Sequence, residues 1–113
     1  MTHEPGESVT AGEAISLVAS GELWLLDVRE DFEWSSGHAP GAHHIPLGEL
    51  GLRQGELPDD VTIAVICHVG QRSRMVTNAL VDADYAAVDV AGGMVAWQAS
   101  GGDVVGAEAG QTR

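Results

Sequence analysis

The sequence has no lysine, and its five basic residues, all of them arginine, stand against 17 acidic residues. The formal net charge at neutral pH is therefore −12. A surface of this sign repels the phosphate backbone of nucleic acids and the anionic head groups of membranes. We therefore expect neither nucleic acid nor a membrane surface as a partner.

Long apolar segments are also missing. No stretch approaches the roughly 20 apolar residues that a membrane-spanning helix needs. The first residues, Met1 to Pro5, lack the basic and apolar regions of a secretory signal. These two absences predict a cytoplasmic protein.

Cysteine occurs only once, at Cys67, so no disulfide can form within the chain. The 113 residues, 44% of them hydrophobic, suffice for one domain with its own core and are too few for two. Such a domain needs neither a disulfide nor a metal in order to fold. Cys67 is therefore either an inert core residue or a thiol retained for its reactivity.

Short apolar runs alternate along the chain with segments of helical periodicity. Thr10 and Glu13 form a capping-box pattern at the start of the first helix. Strands are predicted over residues 23–28, 44–46, 62–66 and 86–90, and helices over 11–19, 30–35, 73–83 and 94–99. This alternation, with short connections, predicts an α/β fold with a mostly parallel sheet.

The two ends of the chain differ from its centre in composition. Residues 1–7 are polar and contain Pro5 and Gly6, and we expect a flexible arm there. Residues 106–113 consist of glycine, alanine and polar residues, which predicts a disordered tail. The folded domain is accordingly assigned to residues 8–105.

Cys67 stands where the clearest predicted strand ends, and the loop after it leads into the clearest predicted helix. In open α/β sheets the reactive crevice lies beyond the carboxyl ends of the strands. Gly70 permits an unusual backbone angle, so the loop can turn its amides toward the Cys67 sulfur. Such amides, a helix N-terminus and the Arg72 guanidinium all favour a thiolate, the nucleophilic form of cysteine. An inert buried cysteine remains the alternative.

Four motifs together resemble the single-domain rhodaneses. They are Asp27-Val28-Arg29-Glu30, Gly37-His38-Ala39-Pro40-Gly41-Ala42, Cys67-His68-Val69-Gly70-Gln71-Arg72-Ser73 and Gly92-Gly93-Met94-Val95-Ala96-Trp97. The motifs occur in the order of that family and at ordinary spacing, and the resemblance covers residues 9–105. A cysteine and an arginine alone would be weak evidence, whereas this combination is specific.

The resemblance implies a rhodanese-like fold, with a five-stranded, mainly parallel sheet flanked by helices on both faces. It also implies that Cys67 accepts a sulfane sulfur and becomes a persulfide. Amides of the loop would surround that persulfide, Arg72 would hold the anionic end of the donor, and Ser73 would cap the next helix. The substrate-binding residues implied in this way are His68, Val69, Gly70, Gln71, Arg72 and Ser73.

Loop length separates this family from related enzymes. Four residues lie between Cys67 and Arg72, whereas phosphatases and arsenate reductases of related fold have one more. A smaller loop suits a terminal sulfur better than a tetrahedral phosphate. A cysteine-dependent phosphatase or arsenate reductase is therefore the less favoured alternative.

Of the five arginines, Arg29 and Arg72 lie in the Asp27 and cysteine motifs, and Arg74 directly follows the cysteine motif. Asp27 and Arg29 are expected to support the active-site region without performing the chemistry, with Arg29 paired to an acid such as Glu33. Arg74, on the first helical turn, is expected to face solvent or to act as a supporting charge.

Histidines and tryptophans in the motifs are expected to have structural roles. His68 follows the nucleophile directly, and its ring is expected to line the donor pocket instead of acting as a base. His43 and His44 are neighbours on an extended chain and point to opposite faces, so no metal site is expected. The remaining aromatic and imidazole side chains are interpreted as packing or hydrogen-bonded residues: His38, Trp34 and Trp97.

The sequence thus predicts a sulfurtransferase that moves a sulfane sulfur from a donor such as thiosulfate to cyanide or a thiol through a Cys67 persulfide. The alternative from another class is a binding or redox-sensing module in which Cys67 acts as a switch. No cofactor or metal is expected. The expected partners are a small-molecule donor and a thiol acceptor, either a small molecule or a protein, and the chain itself is expected to be a monomer or a weak homodimer.

Overall fold

A computed structural model describes residues 3–106, and five strands within them form one parallel sheet. The strands are β1 (Ser8–Val9), β2 (Leu23–Asp27), β3 (His43–His44), β4 (Thr62–Ile66) and β5 (Ala87–Val90). Their order across the sheet is β1-β5-β4-β2-β3. The α-helices are α1 (Ala11–Ala19), α2 (Asp31–Ser35), α3 (Gln71–Asp82) and α4 (Gly93–Ala99). The predicted α/β class and five-stranded sheet are confirmed.

Each face of the sheet carries its own hydrophobic cluster. The cluster on one face joins Leu25, Ala64 and Val88 of the central strands to Ala14 of α1 and Trp97 of α4. The cluster on the other face joins Leu26, Val65 and Ala87 to Val76 and Leu80 of α3. Because both faces are covered, the central strands are apolar at nearly every position, which is why they appear in the sequence as continuous runs.

The first helix has the length and the N-cap predicted from the sequence. Glu13 donates its backbone N–H to Thr10 Oγ1, and its carboxylate accepts from Thr10 N, which is the predicted capping box. The longest helix, α3, has 12 residues. No helix between residues 3 and 106 is long and apolar enough to cross a membrane.

Several boundaries differ from those predicted. Helix α3 begins earlier, at Gln71, because Gly70 takes a left-handed conformation with φ of 110° and serves as its N-cap. Strand β3 is only His43–His44, and the ambiguous segment after it forms two short 3₁₀ helices, Leu47–Glu49 and Gln54–Glu56. Short polar segments such as these take their structure from tertiary packing, which local sequence patterns do not encode.

Part of the predicted N-terminal arm is hydrogen-bonded to the sheet, whereas most of the predicted tail lies outside the described residues. Within the predicted arm, Gly6 N donates to Ala87 O and Glu7 O accepts from Asp89 N, so these residues lead into β1 along the edge of the sheet. Strand β1 was not predicted, because its two residues are too few to form a sequence pattern. Residues 1–2 of the arm and 107–113 of the predicted tail lie outside the described part of the chain.

Candidate active site around Cys67

The Cys67 sulfur lies at the carboxyl end of the central strand β4 and at the start of α3. Its Sγ accepts hydrogen bonds from Gly70 N at 3.1 Å and from Ser73 N at 3.3 Å. The left-handed Gly70 turns the loop back so that both amides reach one atom. The residue is 1% exposed, so the sulfur sits beneath the loop. A sulfur held by two amides at a helix N-terminus is an arrangement that stabilises negative charge.

The amides that reach the sulfur differ in part from those implied by the resemblance. That resemblance placed the amides of residues 68–72 around a persulfide; of these, Gly70 N bonds the sulfur in this structure. The other amide donor is Ser73, whose predicted role was helix capping, and the N-cap of α3 is Gly70. Ser73 thus acts through its amide within the cysteine loop.

The Ser73 side chain links Cys67 to a buried acid. Cys67 Sγ lies 3.4 Å from Ser73 Oγ, which in turn lies 2.5 Å from Asp89 Oδ1 in β5. Ser73 is fully buried and Asp89 is 4% exposed. Asp89 was not among the site residues predicted from the sequence, although an acid inside the apolar run of β5 indicates a buried functional or structural carboxylate.

Helix α4 holds the cysteine loop from the other side. Met94 N donates to Cys67 O at 2.8 Å, and Val95 N donates to His68 O at 3.2 Å. A β-carbon on Gly93 would overlap both of these carbonyl groups, and Gly93 has φ of 59°. Gly93 of the fourth motif is therefore required by the close approach of α4 to the loop, whereas a β-carbon on Gly92 would meet Ala96 of α4 itself.

Arg72 is paired with Glu33 of α2 and does not contact the sulfur. Its two Nη atoms donate to the two carboxylate oxygens at 2.6 and 2.9 Å. The hydrogen bond from Arg72 lowers the pKa of Glu33 to about 2, and the same bond raises the pKa of Arg72. A bidentate pair of this kind cancels most of the positive charge that an anionic donor would meet.

The pairing of Arg29 with Glu33 considered from the sequence is wrong, because Arg29 pairs with Asp27. Arg29 Nε and Nη2 bind the Asp27 carboxylate at 2.9 to 3.1 Å, and Nη2 also donates to Gly37 O at 2.9 Å. Both side chains are buried. This ion pair fixes the chain after β2 to the turn after α2, and so positions the helix that carries Glu33.

Arg74 is tied to the first strand and to the buried acid. It donates to Gly6 O at 2.7 Å and to Ser8 Oγ at 2.8 Å, and its Nη2 lies 3.6 Å from Asp89 Oδ2. The side chain thus joins α3, β1 and β5. Of the two roles expected for Arg74, facing solvent or acting as a supporting charge, these contacts favour the second.

The remaining loop side chains point outward. His68, Val69 and Gln71 are exposed, and His68 lines a cleft of about 240 Å³ between the loop, α2 and α4. Glu33 and Arg29 also line this cleft. It is a concave surface beside the cysteine loop, and neither Cys67 nor Arg72 is among the residues that line it.

Three further histidines stack on tryptophans. Trp34 lies between His38 and His44, with ring centroids 3.5 and 4.6 Å away, and His43 stacks on Trp24 at 4.1 Å. His38 Nδ1 and His44 Nε2 donate to backbone carbonyls of Trp34 and Arg29. Within residues 3–106 no group of three or more His, Cys, Asp or Glu side chains is placed to hold a metal ion.

Known proteins share this combination of fold and sequence. Residues 10–100 match the family described as the rhodanese-like domain. YtwF, a proposed sulfurtransferase of Bacillus subtilis, is 38% identical over 92 residues, which are 81% of this chain and 89% of that protein. A rhodanese-related protein from Thermoplasma volcanium has a TM-score of 0.82 at 33% identity and covers 88% of this chain and 98% of its own. A thiosulfate sulfurtransferase from Pseudomonas aeruginosa has a TM-score of 0.78 at 28% identity, over 88% of this chain and 20% of that one.

The fold and the site together define an α/β domain with a cysteine loop between the central strand of a parallel sheet and the N-terminus of a helix. The chain belongs, among α/β domains of this kind, to the family of rhodanese-like domains. This family was predicted from the four sequence motifs, and the prediction is confirmed.

Replacement of Gly93 by alanine tests how the loop is held. Gly93→Ala should lower the free energy of unfolding by more than about 2 kcal/mol, because the β-carbon meets two carbonyl groups in a left-handed backbone. Gly55→Ala, where a β-carbon meets no atom within 4 Å, is the control and should change stability by about 0.5 kcal/mol or less. Chemical denaturation measures both, and equal effects at the two positions would contradict the steric argument.

The Arg72 pair should leave a signature in the pH dependence of stability. The pKa of Glu33 falls from 4.5 to about 2 on folding, so the pair stabilises the fold above pH 4.5 and this contribution is lost as the pH falls toward 2. Glu33→Gln, which preserves a capping residue, should cost about 1–2 kcal/mol at neutral pH. The difference in the free energy of unfolding between this variant and wild type should close in acid. Glu49→Gln, which removes an acid from an exposed ion pair, should lower the free energy of unfolding by less at neutral pH. A gap that persists at pH 2 would show that the loss is not electrostatic.

Proposed function

We propose that this chain is a sulfurtransferase that carries a sulfane sulfur on Cys67 as a persulfide. The observation that carries the proposal is the position of the Cys67 sulfur, bound by the amides of Gly70 and Ser73 at the N-terminus of α3. Backbone amides and the helix dipole stabilise an anionic sulfur there, in the reactant and in the loaded form. Relatives named as sulfurtransferases support the same activity.

In the first step the Cys67 thiolate attacks the outer sulfur of the donor. A sulfur–sulfur bond forms to Cys67, and the bond between the outer sulfur and the rest of the donor breaks. The bonding electron pair leaves with that remainder, which is sulfite when the donor is thiosulfate. The negative charge of the product resides on the outer sulfur of the persulfide.

In the second step a nucleophile removes the outer sulfur. Cyanide or a thiolate bonds to that sulfur, the bond to Cys67 breaks, and its electron pair returns to Cys67 as the thiolate. Charge and electrons balance in each step without an external oxidant or reductant. We propose a small-molecule donor and a thiol acceptor, which is either a small molecule or a protein, as the partners.

Arg72 has a role in this scheme only if it exchanges partners. Its guanidinium is held by both oxygens of Glu33, and both residues border the loop. An anionic donor in the cleft beside His68 would compete with Glu33 for the same two N–H groups. We propose that Arg72 binds the donor in this way, with Glu33 lowering the affinity.

A second candidate function is a binding or redox-sensing module. The burial of Cys67 and the pairing of Arg72 with Glu33 favour it, because both reduce access of small anions to the sulfur. Formation of a persulfide separates the two candidates.

Incubation with a sulfane donor should add the mass of one sulfur atom to the intact protein. Cyanide or a thiol reductant should remove that mass, because either is a nucleophile for the outer sulfur. Intact-mass spectrometry measures both changes, and Cys67→Ala should show neither. Absence of an adduct with thiosulfate, a mercaptopyruvate and a glutathione persulfide would favour the binding module. Turnover of a phosphate ester that depends on Cys67 would instead favour a phosphatase.

Charge changes at the Arg72 pair should act in opposite directions on thiosulfate turnover. Arg72→Gln should reduce kcat/KM. The loss should correspond to about 1.5–3 kcal/mol of transition-state stabilisation, the range for hydrogen bonds to a charged group. Glu33→Gln should raise it several-fold, because the guanidinium no longer has a competing partner.

The salt dependence provides a further control for this pair. Added salt should lower kcat/KM in wild type and have less effect in Arg72→Gln, because screening weakens the attraction of an anion to a cation. Unchanged turnover in Arg72→Gln, or reduced turnover in a folded Glu33→Gln, would exclude Arg72 as the donor-binding group.

A further inference from the structure

Asp89 is a buried acid that the reaction scheme does not use. It lies in β5 between Val88 and Val90, both fully buried, and is itself 4% exposed. Its Oδ1 accepts from Ser73 Oγ at 2.5 Å, and its Oδ2 lies 3.4 Å from Ser8 Oγ. Arg74 approaches Oδ2 at 3.6 Å. These neighbours are a cation and two hydroxyl groups, the surroundings of an ionised carboxylate, which can only accept hydrogen bonds.

The Ser73 hydroxyl has one proton and three acceptors within reach. Gly70 O lies 3.3 Å away, Cys67 Sγ lies 3.4 Å away, and Asp89 Oδ1 is much nearer and charged. Bonds to a charged acceptor are the stronger ones, so the proton is directed to Asp89. The lone pairs of Ser73 Oγ are then left to face the sulfur, and the thiol of Cys67 donates to Ser73.

We propose that Asp89 is a positioning residue that holds the Ser73 proton away from Cys67, so that the cysteine loop favours negative charge on the outer sulfur of a persulfide over negative charge on Cys67 Sγ. The preference for charge on the outer sulfur rests on the proposed sulfur transfer. The direction of the Ser73 proton does not depend on it.

Two physical effects of Asp89 act in the same direction. A thiolate at Sγ would lack the hydroxyl donor, because the Ser73 proton is engaged, and it would stand one hydroxyl away from a like charge. In a persulfide Sγ is neutral and needs no such donor, because the charge has moved by one bond from Sγ to the outer sulfur. The amides of Gly70 and Ser73 stabilise an anion in either state, whereas Asp89 distinguishes between the two.

Other charged groups surround the sulfur, and they are the same in the variants compared below. Arg74 of α3 faces Asp89 from the side opposite Ser73. The groups at the neighbouring strand end and in the loop are the Asp27–Arg29 pair, the Arg72–Glu33 pair and the exposed His68. A change caused by replacing Asp89 alone is therefore assigned to Asp89.

The test is the pH titration of the single cysteine in Asp89→Asn. Asparagine keeps the shape and removes the charge, so the Ser73 hydroxyl is no longer held by a charged acceptor and a thiolate at Cys67 becomes the preferred acceptor of its proton. The midpoint of the thiolate ultraviolet absorbance should fall by about one pH unit, and alkylation by iodoacetamide below the midpoint should become about tenfold faster. Cys67→Ala supplies the absorbance baseline. Asp82→Asn, an exposed carboxylate at the end of α3, is the charge-matched control and should leave both readouts unchanged.

A second variant reports on the proton direction without touching Asp89. If Ser73 donated to a thiolate, Ser73→Ala would remove a donor and raise the titration midpoint. Because we infer that Ser73 accepts from the thiol, Ser73→Ala should leave the midpoint unchanged or lower it. A raised midpoint in Ser73→Ala, or an unchanged or raised one in Asp89→Asn, would overturn the proposal. Ser73→Ala decides the question alone if circular dichroism shows Asp89→Asn to be unfolded.

Persulfide loading then tests the preference for charge on the outer sulfur. The proteins are incubated with thiosulfate and sulfite at a fixed ratio, at a pH above the Cys67 titration midpoints of both wild type and Asp89→Asn. Under these conditions Asp89→Asn should carry severalfold less persulfide than wild type. Equal loading would refute the preference for charge on the outer sulfur. If no variant forms a persulfide, the proposed sulfur transfer fails, while the titration still decides the position of the Ser73 proton.

Discussion

Two backbone hydrogen bonds from the start of α4 fix the loop that follows β4, and the cysteine site depends on them. Met94 N and Val95 N bind the carbonyl groups of Cys67 and His68. With these carbonyls held, the left-handed Gly70 returns the chain toward the strand end, and its amide reaches the sulfur. The site is thus shaped by an element that lies far from Cys67 in sequence and holds the loop through its backbone.

The order of elements could be predicted from the sequence because each central strand is covered on both faces. Strands β2, β4 and β5 are largely apolar, and helices α1 and α3 have helical periodicity, with a capping box at the start of α1. Strands β1 and β3 have two residues each, too few to form a pattern. Their place at the two edges of the sheet comes from pairing with β5 and β2, which is tertiary information.

For the candidate site, local motifs located the cysteine, its loop and the arginine, but not the partners of their side chains. Arg72 and Glu33 are 39 residues apart in sequence, and Ser73 and Asp89 are 16 apart. Such pairs depend on how α2 and β5 are placed beside the loop. The Arg29 partner was misassigned because the sequence pattern does not show how the chain turns after β2. Glu33 was named as one acid within reach, whereas Arg29 reaches back to Asp27.

The distribution of charge explains why backbone dipoles matter more here than cations. Each of the four arginines among residues 3–106 lies within 4.0 Å of a carboxylate oxygen, in a chain whose net charge is −12. Paired guanidinium groups give little long-range attraction for an anion. The amides of Gly70 and Ser73 differ from them, because no carboxylate can remove their partial charges and they act within contact distance of the sulfur. Stabilisation of an anionic sulfur at Cys67 therefore comes from the backbone rather than from the arginine side chains.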